Sequence, residues 1–275
     1  MSLLSVNQLL VVLGKDSVAI VNRTRGLRTR IVDQKQVHFP QLVDDLNTET
    51  VIWQCAIAQL DMLISTMKVK SKSQLNITLA SEFVRYLALP PQQMYMNLSE
   101  KLAYATAAYR EIYGSVVDDW EVRLQDTPAQ DTAIVAAVDK KLLEALNQIA
   151  LKHQLKLTSV KPYLMSAYNG LAKQIGGSNG YLVIVEFKRL LLINLLQGKC
   201  VNVRMFKLGS DWQSELKSLM VRESVLSDNK KQEVLVYAPV QKNIAISTIE
   251  GWQLKRITLK NTLSNYRFAM LEVAL

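Results

Sequence analysis

One short stretch near the start of the chain has the composition of a phosphate-binding turn. Gly14, Lys15, Asp16 and Ser17 lie between two apolar runs that favour β-strands. Backbone N–H groups of a glycine-containing turn can approach a phosphate closely, and a carboxylate such as Asp16 can hold a hydrated Mg²⁺ ion. The stretch is not a Walker loop, because the earlier glycine and the direct Lys–Ser/Thr pair are missing. We interpret it as an ordinary polar hairpin turn, with a phosphate-binding turn as the alternative.

The other reactive side chains do not form a catalytic or metal-binding group. His38 and His153 are the only histidines and are far apart in the sequence. Cys55 and Cys200 fall in apolar segments, where buried and unreactive thiols are the usual case. The adjacent carboxylates at 44–45 and 118–119 point in different directions on either a strand or a helix. We therefore expect no catalytic residue and no metal site.

The composition is that of a globular protein large enough for two lobes. The chain has 275 residues, of which 49% are hydrophobic and 21% are charged. No apolar run approaches the roughly 20 residues that a membrane-spanning helix needs. The first residues lack the basic start and the cleavage site of a signal peptide, and two cysteines are too few for a disulfide scaffold. We expect a cytoplasmic protein.

The formal net charge of +9 is spread over separate groups. Arginines cluster at positions 23, 25, 28 and 30, and lysines at positions 68, 70 and 72. No aromatic residue is interleaved with either group to stack on nucleic-acid bases. We interpret both groups as solvated surface and expect no specific nucleic-acid partner, with a nucleic-acid-binding protein that uses the Arg23–Arg30 hairpin as an alternative.

The elements that would position these residues occur twice. Residues 180–204 resemble residues 9–32 at one constant offset, and each copy is typical of a strand, a turn, a strand, a turn and a strand. Gly26 and Gly198 occupy the second turn, where a residue without Cβ strain is favoured. We interpret the pair as an internal duplication.

Between and after the two copies the pattern predicts alternating helices and strands. Helices are predicted at 41–67, 82–89 with Ser81 as its cap, 98–113 with Asn97 or Ser99 as its cap and Gly114 at its end, 139–153 capped by Asp139, 163–175 and 210–226. Strands are predicted at 75–80, 118–124, 132–138, 156–162, 233–239, 252–259 and 266–273. The segment GGSNG at 176–180 is the best candidate for a boundary between domains.

Two βββα units, the first with an insertion, resemble the actin-like fold of actin, Hsp70 and sugar kinases. Within that fold the chain resembles the PilM and GspL families, cytoplasmic assembly proteins of type IV pili and type II secretion systems. DSVAIV at 16–21 is similar to the opening DIGSSSVKVV of PilM-like proteins, and residues 134–169 are similar to their strand–helix–strand before the second lobe. The resemblance implies an α/β, duplicated, RNase H-like fold. The first lobe would span 1–176, with an inserted subdomain at about 75–124, and the second lobe would span 177–275.

The sequence departs from the nucleotide-using members of this fold. Those proteins carry an acidic residue followed closely by glycine in the first hairpin of each lobe. Here Val12 and Ile184 occupy the positions of the acid, and Glu186 replaces the second glycine. The degenerate cleft would consist of Gly14, Lys15, Asp16, Ser17 and Glu186. We expect a non-enzymatic scaffold without a cofactor, with an ATP-dependent phosphotransferase or ATPase as the alternative.

A Pro-rich apolar segment at 87–96 is the best candidate for a partner-binding surface. It contains Leu89, Pro90, Met94, Tyr95 and Met96. Flexible methionine and tyrosine side chains in a loop either cover a core or receive a partner. We interpret them as a cover over the inserted subdomain, with a docking ridge as the alternative. By the resemblance, the partners would be the cytoplasmic tail of an inner-membrane assembly protein and the motor ATPase, and the basic chain would suit the inner face of the membrane.

Overall fold

The computed structural model describes residues 5–27, 29–40, 53–92, 94–125, 127–128, 131–186, 188–209, 211–226, 233–241, 243–259 and 266–275. The chain forms two compact units. Unit 1 contains Met1–Val84, Val138–Ser166 and Leu263–Leu275, and unit 2 contains Arg85–Ala137 and Ala167–Thr262. The two units interleave along the sequence, so the boundary between residues 176 and 177 stays a prediction.

Unit 1 is built on a mixed five-stranded sheet. Numbered along the whole chain, its strands are β1 (Val6–Leu13), β2 (Ser17–Arg25), β3 (Arg30–His38), β4 (Gln74–Leu79) and β8 (Lys156–Pro162). Their spatial order is β3-β2-β1-β4-β8. The β1–β2 and β2–β3 pairs are antiparallel, whereas the β1–β4 and β4–β8 pairs are parallel. The unit also contains α1 (Gln54–Ser65), α3 (Lys140–Lys152) and the 3₁₀ segments Ser81–Phe83 and Tyr266–Ala274.

Helices α1 and α3 are joined at both ends by polar contacts. The Trp53 indole, just before α1, donates to Asp139 Oδ2 at 3.0 Å, while Asp139 Oδ1 caps α3 by accepting from the Lys141 N–H at 2.8 Å. At the other end, Asp61 lies 2.7 Å from His153 Nε2 and accepts from Lys152 Nζ at 2.6 Å. The two helices therefore run in the same direction.

Unit 2 repeats the large sheet of unit 1. Its strands are β9 (Gly180–Val185), β10 (Arg189–Leu196), β11 (Lys199–Lys207), β12 (Glu233–Tyr237) and β13 (Gln253–Arg256), in the spatial order β11-β10-β9-β12-β13. The pairings are antiparallel on the β10 and β11 side and parallel on the β12 and β13 side, as in unit 1. Trp212, Leu216 and Met220 of α5 (Trp212–Leu226) belong to the core of this sheet. Helix α4 (Tyr163–Ile175) precedes β9.

A smaller subdomain of unit 2 has no counterpart in unit 1. It contains β5 (Arg85–Leu89), α2 (Leu98–Tyr113), the 3₁₀ segment Gly114–Asp119, β6 (Trp120–Leu124) and β7 (Ala133–Asp139), with the strand order β5-β7-β6. Its core is centred on Tyr109, which is fully buried and donates its hydroxyl to the Arg85 carbonyl at 2.7 Å. Burial raises the pKa of this tyrosine. The sequence placed the insertion at about 75–124, whereas Gln74–Leu79 is β4 of the first sheet.

The strand registers agree with the interpretation of an internal duplication. Leu13 pairs with Val18 in unit 1, and Val185 pairs with Leu190 in unit 2, so each of the two positions recurs 172 residues later. In the third strand the offset shortens to 169, because Ser17 pairs with His38 whereas Arg189 pairs with Lys207. The constant offset predicted from the sequence is therefore wrong for the third strand.

The turn between the second and third strands explains this shift. Unit 2 joins Leu196 to Lys199 through Gln197 and Gly198 alone, and both have positive φ (51° and 75°), as a two-residue hairpin turn requires. Unit 1 joins Thr24 to Arg30 through the five residues 25–29. Gly26 lies in this longer loop and does not have a positive φ. The expected role of glycine is confirmed for Gly198 and wrong for Gly26.

Several other secondary-structure predictions are confirmed, and two are wrong. The helix at 98–113, the strand–helix–strand–helix from 132 to 175 and the helix ending at 226 are present. The helix predicted at 82–89 is instead the 3₁₀ segment Ser81–Phe83 and β5, since this stretch pairs with β7. The predicted strand at 266–273 is a 3₁₀ segment. The strand predicted at 118–124 is present, and it begins at Trp120. Helix α1 begins at Gln54, and residues 41–52 lie outside the described residues.

The hairpin glycines provide a matched pair for a stability measurement. We expect Gly198→Ala to lower the free energy of unfolding by about 2 kcal/mol. Its φ is 75°, and a Cβ there would lie 2.8 Å from both the Gly177 nitrogen and the Ile175 carbonyl oxygen. Gly26→Ala should change the same quantity by less than about 0.5 kcal/mol, because its Cβ would meet only Ser5, at 3.7 Å. Denaturant titration of both variants is the measurement, and equal losses would contradict this account.

The Asp61 contacts predict an acid-dependent contribution to stability. Hydrogen bonds from Lys152 and His153 lower the pKa of Asp61. Because the folded-state pKa is the lower one, this stability is present above about pH 4 and is lost as the pH falls through the folded-state pKa. Since the pair is solvent-accessible, Asp61→Asn should cost about 0.5 kcal/mol at neutral pH. The destabilisation caused by Asp61→Asn should vanish in acid. Adding Lys152→Gln to Asp61→Asn should change the free energy of unfolding little further, because the ion pair is already lost. A cost that is equal at both pH values would refute the assignment.

Candidate functional site

The turn at Gly14–Ser17 is closed by its own backbone and by a carboxylate from a neighbouring segment. The Gly14 N–H donates to the Ser17 carbonyl at 2.8 Å, and the Asp16 carbonyl accepts from the Phe39 N–H at 3.0 Å. The Lys15 N–H donates to Glu82 Oε2 at 3.2 Å. A backbone N–H that would be available to a phosphate in this turn therefore already has an anionic acceptor. Glu82 carries no signal in the sequence for this role: it follows β4 and reaches the turn only because β4 pairs beside β1.

Glu186 lies in the corresponding turn of unit 2. Its N–H donates to the Arg189 carbonyl at 2.9 Å, and the Leu208 N–H donates to the Lys188 carbonyl at 2.9 Å. These two bonds repeat those made by Gly14 and Phe39 in unit 1, so Glu186 stands at the position of Gly14. Its side chain is buried, with 3% of its surface exposed. Each turn thus carries a carboxylate, and neither carboxylate lies at the position expected for the acid.

The positions of the missing acids lie inside the two sheets. Val12 of β1 is 5% exposed and Ile184 of β9 is fully buried. An ionised carboxylate at either position would lose its hydration, at a cost of several kcal/mol unless a cation compensated it. Both turns are accordingly attached to strands whose last residues are packed as apolar core.

The remaining candidates for chemistry make structural contacts. The Cys200 thiol donates to the Asn202 carbonyl at 3.7 Å, and burial raises its pKa to about 12, which disfavours the reactive thiolate. His153 contacts Asp61 between helices, and His38 lies 2.9 Å from the Gln36 amide nitrogen. Asp118 forms an ion pair with Arg110, and positions 44–45 lie outside the described residues. Within the described part of the chain, no three His, Cys, Asp or Glu side chains converge as they would around a metal ion.

The Pro-rich segment divides into a buried start and an exposed remainder. Leu89 ends β5 and is 4% exposed in the core of the small subdomain. Pro90 is exposed, Met94 is 78% exposed and Tyr95 is 86% exposed, while Met96 is half-buried. The interpretation that these side chains cover a core is therefore wrong for Met94 and Tyr95. We call Met94, Tyr95 and Met96 the apolar ridge.

The apolar ridge is followed directly by the hydrogen-bonded start of helix α2. Asn97 Oδ1 accepts from the Glu100 N–H at 3.0 Å, and the Glu100 carboxylate accepts from the Asn97 N–H at 2.8 Å, which is a capping box. Lys101 of the same turn donates to the Thr127 carbonyl at 2.5 Å. The ridge therefore precedes a helix start that is well defined by hydrogen bonds.

A pocket of about 270 Å³ lies beside the apolar ridge. It is lined by Tyr95, Met96, Asn97, Leu98, Lys101, Thr127 and Pro128. Its volume is slightly below the range of about 300–1,000 Å³ that is usual for small-molecule sites. The pocket is suited to one or two side chains of a peptide. The sequence indicated its apolar wall, whereas the contribution of 127–128 depends on the fold of the subdomain.

The arginine cluster is only partly a solvated surface. Arg23 is buried, donates to Gln8 Oε1 at 3.0 Å and to the Leu275 carbonyl at 2.9 Å, and has its pKa lowered by burial. Arg25 and Arg30 are exposed, and so are Lys68, Lys70 and Lys72. No helix among the described residues is long and apolar enough to cross a membrane.

Comparison with known proteins shows similarity at the level of the fold. The sequence matches no protein-family model and no curated protein. The structure is similar to the cytoplasmic domain of EpsL, an inner-membrane component of the type II secretion system of Vibrio cholerae. The TM-score is 0.59 at 11% identity, over 98% of this chain and 94% of that chain. The PilM–PilN type IV pilus biogenesis complex gives a TM-score of 0.62 at 12% identity, over 91% and 88%.

A third solved structure supports the same fold. A Bacteroides thetaiotaomicron protein with an actin-like ATPase fold and unknown function gives a TM-score of 0.57 at 11% identity, over 86% of this chain and 83% of that chain. The predicted actin-like fold is confirmed, and so is the resemblance of this chain in structure to proteins of type II secretion and type IV pilus systems.

The two turns generate a prediction about nucleotide binding. Titration calorimetry with ATP and Mg²⁺ should show no dissociation constant tighter than about 1 mM, equivalent to roughly 4 kcal/mol. The reason is that Glu82 occupies the Lys15 N–H and Glu186 replaces the glycine of the second turn. Tight ATP binding that is abolished by Asp16→Ala or Glu186→Ala would contradict this expectation.

Proposed function

We propose that the chain is a non-enzymatic scaffold of a type IV pilus or type II secretion assembly platform. In this role it binds the cytoplasmic tail of an inner-membrane assembly protein and works at the cytoplasmic face of that membrane. The motor ATPase is the second partner in the proposal. The similarity of nearly the whole chain to the EpsL domain and to the PilM–PilN complex supports the choice of system.

The apolar ridge is the observation that carries the proposal. Met94 and Tyr95 expose most of their surface, and neither belongs to the core that contains Leu89 and Tyr109. Burying such side chains against a partner releases water from apolar surface, and aromatic residues are enriched among those that contribute most to binding. A peptide with a few apolar anchors matches this ridge and the adjacent pocket.

The pocket adds a polar component to the same surface. Lys101 and Thr127 are joined across it by a hydrogen bond, and the lining also contains the Asn97 amide. Apolar anchors would contact the Tyr95, Met96 and Leu98 side chains, and polar groups of the peptide would be oriented by Asn97 and Lys101. Most of the binding free energy would come from the ridge, and the pocket would set the orientation of the bound peptide.

The absence of an enzymatic activity is part of the proposal. The buried apolar side chains of Val12 and Ile184 at the positions of the acids count against an ATP-dependent phosphotransferase, and the Lys15 N–H is already bonded to Glu82. The titration with ATP described above separates the two functions.

The ridge generates a direct test. Met94→Ser combined with Tyr95→Ser should weaken binding of a synthetic tail peptide about thirtyfold, because truncating two anchor residues at about 1 kcal/mol each costs about 2 kcal/mol. Fluorescence anisotropy would be measured with labelled cytoplasmic tails of inner-membrane pilus and secretion proteins from the same genome. The melting temperature should not change, since both side chains are exposed.

A matched control is available on helix α5 of the same unit. Val221→Ser combined with Val225→Ser removes two apolar side chains that are 53% and 82% exposed, and it should leave peptide binding unchanged. If the ridge variant melts earlier and its folded fraction binds the peptide as before, the ridge is structural and the docking surface lies elsewhere.

A further inference from the structure

The loop between β2 and β3 carries a leucine that is completely exposed. Leu27 has 101% of its surface accessible, in a five-residue loop whose counterpart in unit 2 has only two residues. Nearby apolar side chains are also exposed, with Ile31 at 42%, Val32 at 55% and Val6 at 41%. Val6 pairs directly with Arg25, at the start of the same loop. This end of the hairpin therefore presents apolar surface where the sheet meets solvent.

Positive charge surrounds this apolar surface. Arg25 and Arg30 are exposed on either side of Leu27. No acidic residue occurs in the sequence from Arg23 to Val32. The first one after it is Asp33, whose Oδ1 accepts from the Gln34 N–H at 2.8 Å. The tip of the hairpin thus combines an aliphatic side chain with two exposed arginines.

We propose that this hairpin is a membrane contact that places Leu27 in the interface of an anionic bilayer. Leu27 would enter the boundary between headgroups and acyl chains, while Arg25 and Arg30 would bind lipid phosphates. Ile31, Val32 and Val6 would lie against the same interface. The Leu27 hairpin belongs to unit 1, whereas the apolar ridge belongs to unit 2. This inference therefore does not rest on the proposed function of the ridge.

The chemistry of the loop favours lipid over nucleic acid. A nucleic-acid surface uses arginines with aromatic platforms or base-reading polar groups, and residues 25–30 contain none of these aromatic platforms. An exposed leucine at the tip would gain nothing from a phosphate backbone, but it gains from transfer out of water into hydrocarbon. Leu27 also lies in a connection that has three more residues than its counterpart in unit 2.

Vesicle co-sedimentation of the full chain tests the proposal. The protein should bind vesicles of equal parts phosphatidylglycerol and phosphatidylcholine, bind phosphatidylcholine vesicles much more weakly, and lose affinity as salt is raised. Leu27→Ser should lower the partition coefficient about tenfold, as expected for losing one buried leucine side chain. Arg25→Ser should lower it about fivefold, as expected for one basic residue near an anionic surface.

Matched variants distinguish vesicle binding by this surface from nonspecific vesicle binding by the rest of the protein. Leu196→Ser removes a leucine that is 59% exposed at the corresponding hairpin of unit 2, and Arg123→Ser removes an exposed arginine of unit 2. Both should bind vesicles like the parent protein. Insertion is read directly with Leu27→Trp, whose fluorescence should be quenched by brominated lipid more strongly than that of Leu196→Trp.

Either of two results would overturn the proposal. The first is vesicle binding that is equal for the parent protein and Leu27→Ser, with unchanged melting temperatures. The second is binding to a short DNA duplex that exceeds vesicle binding at the same salt, falls in Arg25→Ser and persists in Leu27→Ser. That second result would identify the hairpin as a nucleic-acid surface.

Discussion

Each large sheet depends on a central strand that is buried on both faces. β1 is buried from Gln8 to Leu13, and β9 is buried along its whole length. A strand in this position must be almost entirely apolar and must form hydrogen bonds along both edges, because an unpaired polar group is costly there. An antiparallel hairpin satisfies one edge and a parallel strand satisfies the other. The positions of the Gly14–Ser17 turn and of the corresponding turn at Glu186 follow from where these strands end.

The same constraint bears on the chemistry of the turns. Val12 and Ile184 complete the packing of the two central strands, and an acid at either position would be placed in an almost water-free environment. Carboxylates come to the turns from other places instead, from Glu82 after β4 and from Glu186 within the second turn. The packing that builds the two sheets and the proposed loss of nucleotide chemistry are therefore compatible with each other.

Both proposed surfaces lie where the two copies of the repeat differ. The apolar ridge belongs to a subdomain that unit 1 lacks, and Leu27 belongs to a loop that is longer than its counterpart in unit 2. Segments outside the paired strands can change without disturbing the core, which is why binding residues concentrate there. The duplicated sheets would then serve as rigid supports, and the added segments would supply recognition.

The sequence alone determined the features that depend on local physics. These include the repeat, the Gly198 turn, helix α2 with a cap at Asn97 or Ser99, and the strand before the Asp139 cap, because spacing, capping and φ preferences act within a few residues. It also located the Gly14–Ser17 turn and the apolar segment at 87–96, whereas the exposure of Met94 and Tyr95 was decided by the tertiary structure. The tertiary structure decided the rest. Arg85–Leu89 is a strand because it pairs with β7, Glu82 reaches Lys15 across 67 residues of sequence, and Arg23 is buried by a contact with Leu275, 252 residues away. Short apolar or charged stretches fit several local structures, and only their distant partners select one of them.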